Sequence, residues 1–536
     1  MVFQKQVRPL KSHPVLLRGG IKLAKSSLET RDGFCRQLEN YEINLDGDYQ
    51  SVTGYERFDG HPAPSAATAA GTHNNDEDEI ADVLTQREIA RALIQPVPGN
   101  GPVLGVFNIG AMVYAFRDNN DNTECVMFQS SATGWEEFTT GVTLAPGGKF
   151  EFDTMNYENR PTMEIIGVDG VNPAFIFDGT TFTQIPNVGM TVNAPTHVAV
   201  NPAEIIMLSY PGGSLQYLGV GEVDFAEAGS GELAVAGEIR GLVNEPGDVL
   251  AIICDNKIEL LYGRTPLTWQ KQILPGKSGA TENTIQNAMG SIFINEHALT
   301  TLARTQNFGD FEIKGLSSNV SNIIRAYRNR AVSSSYIRDK SQYRVYFNDG
   351  TGLTCTLLEG AAIGFTTLNM GQSFNCCFSG EDEKYNEVIY AGGENGFVYQ
   401  LEIGTSFDGE EIQTSLTPQF SHCKSYNINK TFKKFTLEGQ ALSSITFYVV
   451  PYFEYLTPDY PESPPDTFET IGGGGVFDNA RFDEFYWNSA VLYQGDVSII
   501  GRGSNVALFL RTSSNFATPH LVKSITYFFT TQGARK

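Results

Sequence analysis

Histidine and cysteine side chains are the first candidates for chemistry in this 536-residue sequence. The seven histidines are scattered: His13, His61, His73, His197, His297, His422 and His520. None of them forms the HxH or HxxxH spacing by which metal sites place two imidazoles on one ion. The seven cysteines include no CxxC pair, and the adjacent Cys376 and Cys377 would point to opposite faces of a strand. We expect buried, reduced thiols, no metal site and no cofactor.

Oxygen ligands and nucleophiles give no complete motif either. Asp118, Asn120 and Asn122 resemble the first ligands of a calcium loop. However, Thr123 stands where such a loop needs glycine, and Gln129 stands where it needs a bidentate glutamate. The sequence has neither a GxSxG elbow nor a P-loop. We therefore predict a plain turn here and a protein that is not an enzyme, with no catalytic residue to name.

The formal net charge of −23 is unevenly distributed. Residues 1–36 carry eight basic residues against two acidic ones, a net charge of +6, which leaves −29 on the rest of the chain. An acidic body argues against ordinary nucleic-acid binding, which requires a basic surface. Solubility alone would also account for an acidic excess.

The basic residues of the first 36 positions are candidate assembly contacts: Lys5, Arg8, Lys11, Arg18, Lys22, Lys25, Arg31 and Arg36. Pro9, Pro14 and Gly19-Gly20 favour an extended arm over a helix. Such an arm could fold back on its own acidic body or dock on an acidic face of a neighbouring subunit. The charge pattern leaves both possibilities open.

Hydropathy bears on location. The longest apolar run, Val249–Cys254, is far too short to cross a bilayer. The first residues, Met1–Arg8, lack the apolar core of a signal peptide. We expect synthesis in a cytosol and no membrane anchor.

The elements that would position a site are mostly short strands joined by turns. Five turn dipeptides separate apolar and aromatic runs: Ile109-Gly110, Asp178-Gly179, Asp255-Asn256, Asp349-Gly350 and Asn395-Gly396. At about 40–45 residues per four-stranded blade, the stretch that they cover holds about six or seven blades. We predict a mainly β fold built on a β-propeller. Two stacked β-sandwiches are the alternative.

Composition divides the chain into four segments: a basic arm at 1–36, a β-hairpin plus helical segment at 37–99, the propeller at 100–420 and a C-terminal antiparallel β-sandwich-like domain at 421–536. One short helix is predicted over Ile80–Ile94, where apolar residues recur at helical spacing before Pro96. In the last segment, strand-like runs alternate with exposed loops. The predicted strands are Ile445–Val450, Val506–Arg511 and Ile525–Phe529, and the predicted loops are Pro458–Pro465 and Gly472–Gly475.

The most specific sequence feature is the run Leu38–Tyr49 followed by Gly54–Gly60. The first part has the pattern of a hairpin whose turn is Asp46-Gly47, and the second is an aromatic strand. With Pro62 and Ser65, it resembles the N-terminal signature LENY…G.Y…GYERFDG.P.PS of the tail nozzle (tail tubular protein B-like) family of short-tailed bacteriophages, the podoviruses. Further pieces resemble the family in the same order: Arg91–Gly99, Gly101–Val106, Lys340–Phe347, Gly501–Leu508 and Pro519-His520.

The resemblance implies a structural virion protein in the distal nozzle ring of a short tail. Six copies of the chain would line the genome-ejection channel, joined to an adaptor or connector ring and to tail fibres. Genomic DNA would pass transiently, without specific binding, and the ring would be assembled in the host cytoplasm. Gln50–Thr53 departs from the family, which often has basic residues there, so a contact at these positions does not carry over. The alternative function is a carbohydrate-binding or carbohydrate-cleaving β-propeller that recognises a host surface.

Overall fold

The computed structural model consists mainly of strands, as the Gly-, Tyr- and Phe-rich composition predicts. The residues that it describes are 8–23, 30–67, 77–156, 163–185, 194–225, 229–276, 278–288, 290–304, 311–441, 443–455, 466–470, 474–475, 486–487 and 491–534.

Five strands and a helix come first: β1 (Lys11–Leu16), β2 (Cys35–Glu39), β3 (Tyr41–Ile43), β4 (Tyr49–Ser51), β5 (Tyr55–Phe58) and α1 (Glu77–Leu93). β3 and β4 form the predicted hairpin. In its turn Gly47 has a φ of 89°, a value that favours glycine. Helix α1 confirms the predicted helix and ends before Pro96, where the prediction placed its end.

The middle of the chain forms repeated four-stranded antiparallel units. Blade 1 contains β6 (Asn100–Ile109), β7 (Met112–Asp118), β8 (Cys125–Ser131) and β9 (Gly134–Glu137). Blade 2 contains β10 (Glu151–Met155), β11 (Glu164–Val168), β12 (Phe175–Phe177) and β13 (Phe182–Gln184). Blade 3 contains β14 (His197–Val200), β15 (Ile206–Tyr210), β16 (Ser214–Tyr217) and β17 (Gly231–Ala234). Blade 4 contains β18 (Ile239–Glu245), β19 (Val249–Cys254), β20 (Ile258–Tyr262) and β21 (Gln270–Ile273).

Three more units complete the series. Blade 5 contains β22 (Gln286–Asn287), β23 (Ser291–Ile294), β24 (Leu299–Arg304) and β25 (Phe311–Gly315), and helix α2 (Ser321–Tyr327) with a 3-10 turn (Arg328–Arg330) leads to blade 6. Blade 6 contains β26 (Ala331–Ile337), β27 (Gln342–Phe347), β28 (Thr351–Leu358) and β29 (Ala361–Asn369). Blade 7 contains β30 (Phe374–Glu381), β31 (Glu387–Gly393), β32 (Val398–Leu401) and, as its outer strand, β5.

The seventh blade closes the ring. β5 pairs with β32, so that Tyr55 lies opposite Leu401 and Phe58 lies opposite Val398. A strand from before the first blade therefore completes the last blade, which ties the two ends of the ring together. This confirms the predicted β-propeller, and the described residues form seven blades. Each of the five predicted turn dipeptides connects two neighbouring, paired strands within its own blade.

The remaining strands are β33 (Ile412–Pro418), β34 (Ile428–Ala441), β35 (Ile445–Phe453), β36 (Asp466–Thr470), β37 (Gly474–Gly475), β38 (Tyr486–Trp487), β39 (Val491–Gly503), β40 (Val506–Ser514) and β41 (Leu521–Ala534). One sheet continues blade 6 outward in the order β29-β2-β33-β40-β35-β36. A second sheet has the order β3-β4-β41-β34-β39, with β1 also paired to β41. Buried residues of both sheets, such as Leu416 and Leu510 of one and Phe435 and Ile525 of the other, belong to one hydrophobic core. The two sheets form a second domain, which shares a continuous sheet with the propeller.

The observed strands divide the chain differently from the predicted segments. The basic segment 1–36 contributes β1, in which Lys11 lies opposite Phe529, so its described part is a strand of the second domain and not a free arm. The segment 37–99 gives β5 to the propeller, and the predicted propeller segment gives β33 to the second domain. Local periodicity shows that a strand forms but not which distant strand pairs with it.

The predicted C-terminal loops lie mostly outside the described residues. This holds for Pro458–Pro465 and for the first half of Gly472–Gly475. The second half, β37, pairs with β38 in a two-residue parallel bridge. Within the described residues, no helix is long and apolar enough to cross a membrane.

Candidate functional site

The first strands of blades 2 to 7 surround a central cavity of about 410 Å³. Charged side chains from several blades line it, including Lys149, Glu151, Asp153, His197, Arg240 and Glu282. Three of them lie within residues 149–153, but the other three come from distant parts of the chain, so no local motif could have predicted that the six meet.

Lys149 crosses the cavity. It precedes blade 2, and its ammonium group donates one hydrogen bond to Asn283 Oδ1 at 2.9 Å and another to the backbone oxygen of Val332 in blade 6. Burial lowers the pKa of Lys149, an effect that neighbouring Cys376 and Glu282 oppose. The Lys149 side chain therefore connects opposite sides of the propeller across the cavity.

Two ion pairs join adjacent blades around the cavity. His197 Nδ1 of blade 3 lies 2.7 Å from Glu151 Oε2 of blade 2. Burial alone would lower the pKa of His197, but the Glu151 carboxylate raises it above its ordinary value. Arg240 of blade 4 lies 3.2 Å from Glu282, which precedes blade 5. Each pair places a carboxylate of one blade against a basic side chain of its neighbour.

Asp153 is the most perturbed carboxyl group of the cavity. Burial raises its pKa to about 6, although the backbone N–H groups of Val200 and Thr154 donate to it at 2.7 and 2.8 Å. The folded protein therefore holds this proton more tightly than the unfolded chain does.

This shift predicts a pH effect. Protonated Asp153 stabilises the fold fully below pH 3.8, and roughly 3 kcal/mol of that stability should be lost as the pH rises through 6. Asp153→Asn cannot titrate, so the difference in unfolding free energy between variant and wild type should change by this amount between pH 3.5 and 7. Denaturant titrations across that range measure it. Asp121→Asn, in an exposed turn, is the control and should leave the pH dependence unchanged; an unchanged slope in Asp153→Asn would contradict the prediction.

Neither cysteine of the cavity wall is activated as a nucleophile. Burial raises the pKa of Cys376 and of Cys377 to about 12, so both remain protonated thiols at neutral pH. Among the described residues, no three or more His, Cys, Asp or Glu side chains are grouped as metal ligands. The contacts of the cavity side chains can hold the blades together, and the small volume of the cavity can exclude bulky ligands.

A second functional arrangement is built from the sequence signature at Gly54–Gly60. Tyr55 stacks on Phe407 at 5.2 Å and meets the edges of Phe374 and Tyr399, each at 5.3 Å. Its hydroxyl donates to the backbone oxygen of Met370 at 2.8 Å. These contacts anchor the closing strand β5 in the core of blade 7.

Arg57, two residues along the same strand, adds an ion pair. The guanidinium forms a bidentate contact with Asp408, with Nε 3.0 Å from Oδ1 and Nη2 2.5 Å from Oδ2. Arg91 of helix α1 reaches the same carboxylate at 3.4 Å. Asp408 therefore joins the closing strand to the helix.

Arg57→Ala should lower the free energy of unfolding by about 2 kcal/mol, because a partly buried, bidentate, charge-assisted pair is lost. Guanidinium denaturation measures the change. Arg57→Lys keeps the charge but not the fork geometry and should recover less than half of the loss. Equal stability of the alanine variant and the wild type would show that the pair does not hold the closure.

A third cluster of charges connects the second domain to the propeller. Arg344 of blade 6 is 1% exposed and lies 3.0 Å from Glu42 of β3 and 2.5 Å from Glu402, which follows blade 7. Lys340 contacts the same two carboxylates at 2.7 and 2.5 Å. Burial alone would raise the pKa of Glu402, but Arg344 and Lys340 hold it below its ordinary value.

The basic residues predicted as assembly contacts are spread over the second domain. Arg8 donates to the backbone oxygen of Thr531 at 3.0 Å. Two of the cations lie over aromatic rings: Lys22 over Phe34 at 4.6 Å and Arg36 over Phe420 at 5.2 Å. Lys11, Arg18 and Arg31 are exposed, and Lys5 and Lys25 lie outside the described residues. Their role in assembly stays a prediction.

The calcium-like segment forms a turn. Asn119 Oδ1 accepts the N–H of Thr123 at 2.9 Å, and Asp118 accepts the N–H of Gly147 at 3.2 Å through each oxygen. Asn122 adopts a left-handed φ of 53°. The prediction of a turn in this segment is confirmed, and the prediction that it binds no calcium stays a prediction.

No protein-family profile and no curated protein matches the chain. Among solved structures, YCF48 bound to a D1 peptide matches at 12% identity and a TM-score of 0.37, over 57% of this chain and 95% of that one. The extracellular domain of a one-component system from B. thetaiotaomicron matches at 9% identity and a TM-score of 0.40, over 77% and 58% of the two chains. The WD40 domain of Neurospora crassa Pan2 matches at 8% identity and a TM-score of 0.36, over 56% and 89%. None of these likenesses bears on function.

Proposed function

We propose that this chain is a structural subunit of a short phage tail, similar to podovirus nozzle proteins. Copies of it form the distal ring, the lumen of the ring is the path of the genome, and the outer surfaces hold the adaptor ring and the fibres. The chain performs this function by shape and charge, so no nucleophile is needed.

The observation that carries the proposal is the use of the signature residues in the fold. A Cβ atom on Gly54 would lie 2.1 Å from the backbone oxygen of Ser406, and one on Gly60 would lie 2.1 Å from that of Ser131. Both positions therefore require glycine, and Gly60 also has a φ of 109°. The signature residues therefore close this propeller, and this supports the proposal because the resemblance to the nozzle family rests on the same residues.

The small size of the central cavity supports a genome channel that lies between copies of the chain and not through a single propeller. About 410 Å³ crossed by Lys149 cannot admit duplex DNA, whose major groove alone is about 12 Å wide. A chain with this propeller can accompany DNA only as one wall of a larger channel. The formal charge of −23 per copy favours sliding of DNA over binding.

The alternative, a carbohydrate-recognising propeller, calls for accessible aromatic rings beside carboxylates. In the described cavity wall, Phe150 stacks on Phe116 at 4.0 Å, and Phe152 packs on Phe107 at 4.9 Å. These rings are already covered by other rings, so they offer no platform for a sugar.

Electron microscopy and native mass spectrometry of the purified protein, alone and mixed with tails that lack it, test the proposal. We expect a closed ring of six copies that completes the tails. At physiological salt this ring should not retain bound duplex DNA. Host polysaccharides, peptidoglycan and sialosides should yield no product. A monomer that cleaves a polysaccharide, with turnover abolished by one Asp or Glu substitution, would establish the carbohydrate alternative instead.

A further inference from the structure

A compact basic surface interrupts the acidic exterior of the propeller at helix α2. Residues 318–330 contain three arginines and no carboxylate. Arg325 donates to the backbone oxygen of Ser321 at 3.2 Å, and Arg330 contacts Asp349 at 3.1 Å. Within the described structure Arg325 and Arg328 have no carboxylate partner. We refer to Arg325, Arg328 and Arg330 as the α2 basic surface.

The N-terminal segment lies close to this surface. The backbone N–H of Leu23 donates to the oxygen of Asn319, two residues before α2, at 2.9 Å. Tyr327 adds an aromatic ring, with the Arg330 guanidinium 5.2 Å from its centre. Arginine and tyrosine are the residues that most often supply binding energy at protein interfaces.

An acidic knob lies between the first two strands of blade 7. The loop 381–387 has four carboxylates and one lysine. Asp382 accepts the N–H groups of Lys384 and Asn386 at 2.7 and 2.9 Å, which fixes the turn. The turn places Tyr385 at a left-handed φ of 64° with 84% of its surface exposed. A large aromatic held in a strained, fully presented conformation is preorganised for a contact.

The two surfaces lie at opposite ends of one strand. Arg330 immediately precedes β26 and Arg338 immediately follows it. Arg338 also contacts Glu381 at 2.8 Å and Glu387 at 3.4 Å, so the acidic knob lies beside this far end. The seven residues of β26 span roughly 20 Å. Over that distance solvent and salt screen the two surfaces from each other, and one copy cannot bring them into contact.

We infer that the acidic knob of one copy binds the α2 basic surface of the next. Opposite charges on opposite faces of the same propeller make the chain complementary to itself in a head-to-tail sense. A contact between two different surfaces is heterologous and generates a ring when the rotation between copies closes. The inference rests on the proposed function for the closure of that ring, while the contact itself requires only self-association.

A charge-swap experiment tests the contact. One variant carries Arg325→Glu and Arg328→Glu. The second carries Asp339→Lys and Glu383→Lys. Glu383 belongs to the acidic knob, and the backbone N–H of Asp339 donates to Glu387 of the knob at 3.0 Å. Both acids are exposed and form no ion pair in the described structure. The third carries all four changes. Lys257→Glu with Arg264→Glu, both on blade 4, is the control for the same charge change away from the surface, and circular dichroism confirms that each variant folds.

Sedimentation velocity and native mass spectrometry at 50 and 300 mM salt give the readout. The wild type should self-associate more tightly at the lower salt. Each two-residue variant should lose at least tenfold in affinity, the blade 4 control should not, and the four-residue variant should regain most of the loss, because the swapped charges again attract.

Several outcomes overturn the contact: a monomeric wild type, unchanged association of the two-residue variants, or no recovery in the four-residue variant. Tight binding of duplex DNA, lost in Arg325→Glu with Arg328→Glu while self-association is unchanged, would make the surface a polyanion site instead. The proposed function fails separately. If the charge swap restores association but the copies form an open filament that does not complete tails, the contact is supported and the nozzle function is rejected. If closed rings form and none of the four changes affects them, the nozzle function is supported and the contact is rejected.

Discussion

Replacing Arg344 with methionine should lower the free energy of unfolding by about 3–5 kcal/mol. The buried guanidinium lies between the carboxylates of Glu42 and Glu402. Its loss leaves Lys340 alone to balance two negative charges at a site where Glu42 is 3% exposed. A buried charge without a partner costs far more than the pair contributes, so the effect comes mainly from the carboxylates left behind.

Guanidinium denaturation of purified variants measures this effect as a shift of the midpoint at constant slope. Arg264→Met is the matched control, because its side chain is 60% exposed and its partner Asp248 is 44% exposed. It should cost less than about 1 kcal/mol. Adding Glu42→Gln to Arg344→Met should recover part of the loss by removing one of the unbalanced charges. Equal losses for Arg344→Met and Arg264→Met would show that the buried network does not stabilise the junction of the two domains.

The same cluster shows what sequence patterns can predict and what they cannot. The alternating strand around Arg344 and its Asp349-Gly350 turn follow from local periodicity, and β27 and β28 are found there. Glu42 lies in the hairpin at the other end of the chain, and no local pattern links it to Arg344. The pairing depends on the continuation of blade 6 into β2, which is a long-range property of the fold.

The closing strand gives a similar lesson for the candidate site. The sequence predicts the aromatic strand after the hairpin but places it in an N-terminal segment. Its partner β32 follows some 340 residues later, and over that distance turn chemistry gives no information on pairing. The resemblance to nozzle proteins identified Gly54–Gly60 as important without a physical reason. The structure supplies the reason, since two glycines with no room for Cβ and the ring of Tyr55 close the propeller. The charged cavity could not be predicted, because Glu151 and His197 come from different blades and no local spacing links them.

Acidification should destabilise the second domain through His520. This imidazole is buried, its Nε2 lies 2.9 Å from the hydroxyl of Tyr41, and its ring meets Phe447 edge-on at 5.3 Å. Burial lowers the pKa of His520 from 6.5 to about 3, so the folded protein keeps it neutral. The unfolded chain takes up a proton below pH 6.5, and roughly 4–5 kcal/mol of stability should be lost as the pH falls from 6.5 to 3.

His520→Gln isolates this effect, because glutamine retains a polar group beside Tyr41 but does not titrate. The variant should be less stable than the wild type at pH 7, and the difference should shrink and then reverse sign as the pH falls towards 3. His297→Gln removes a histidine whose side chain is 78% exposed and should leave the pH dependence unchanged. Titration of Asp153 changes the stability in the opposite direction over pH 4–6. The test therefore compares the variant with the wild type at each pH and does not rely on the wild-type curve alone. A constant difference between His520→Gln and the wild type from pH 7 to 3.5 would show that the folded protein protonates His520 as readily as the unfolded chain does.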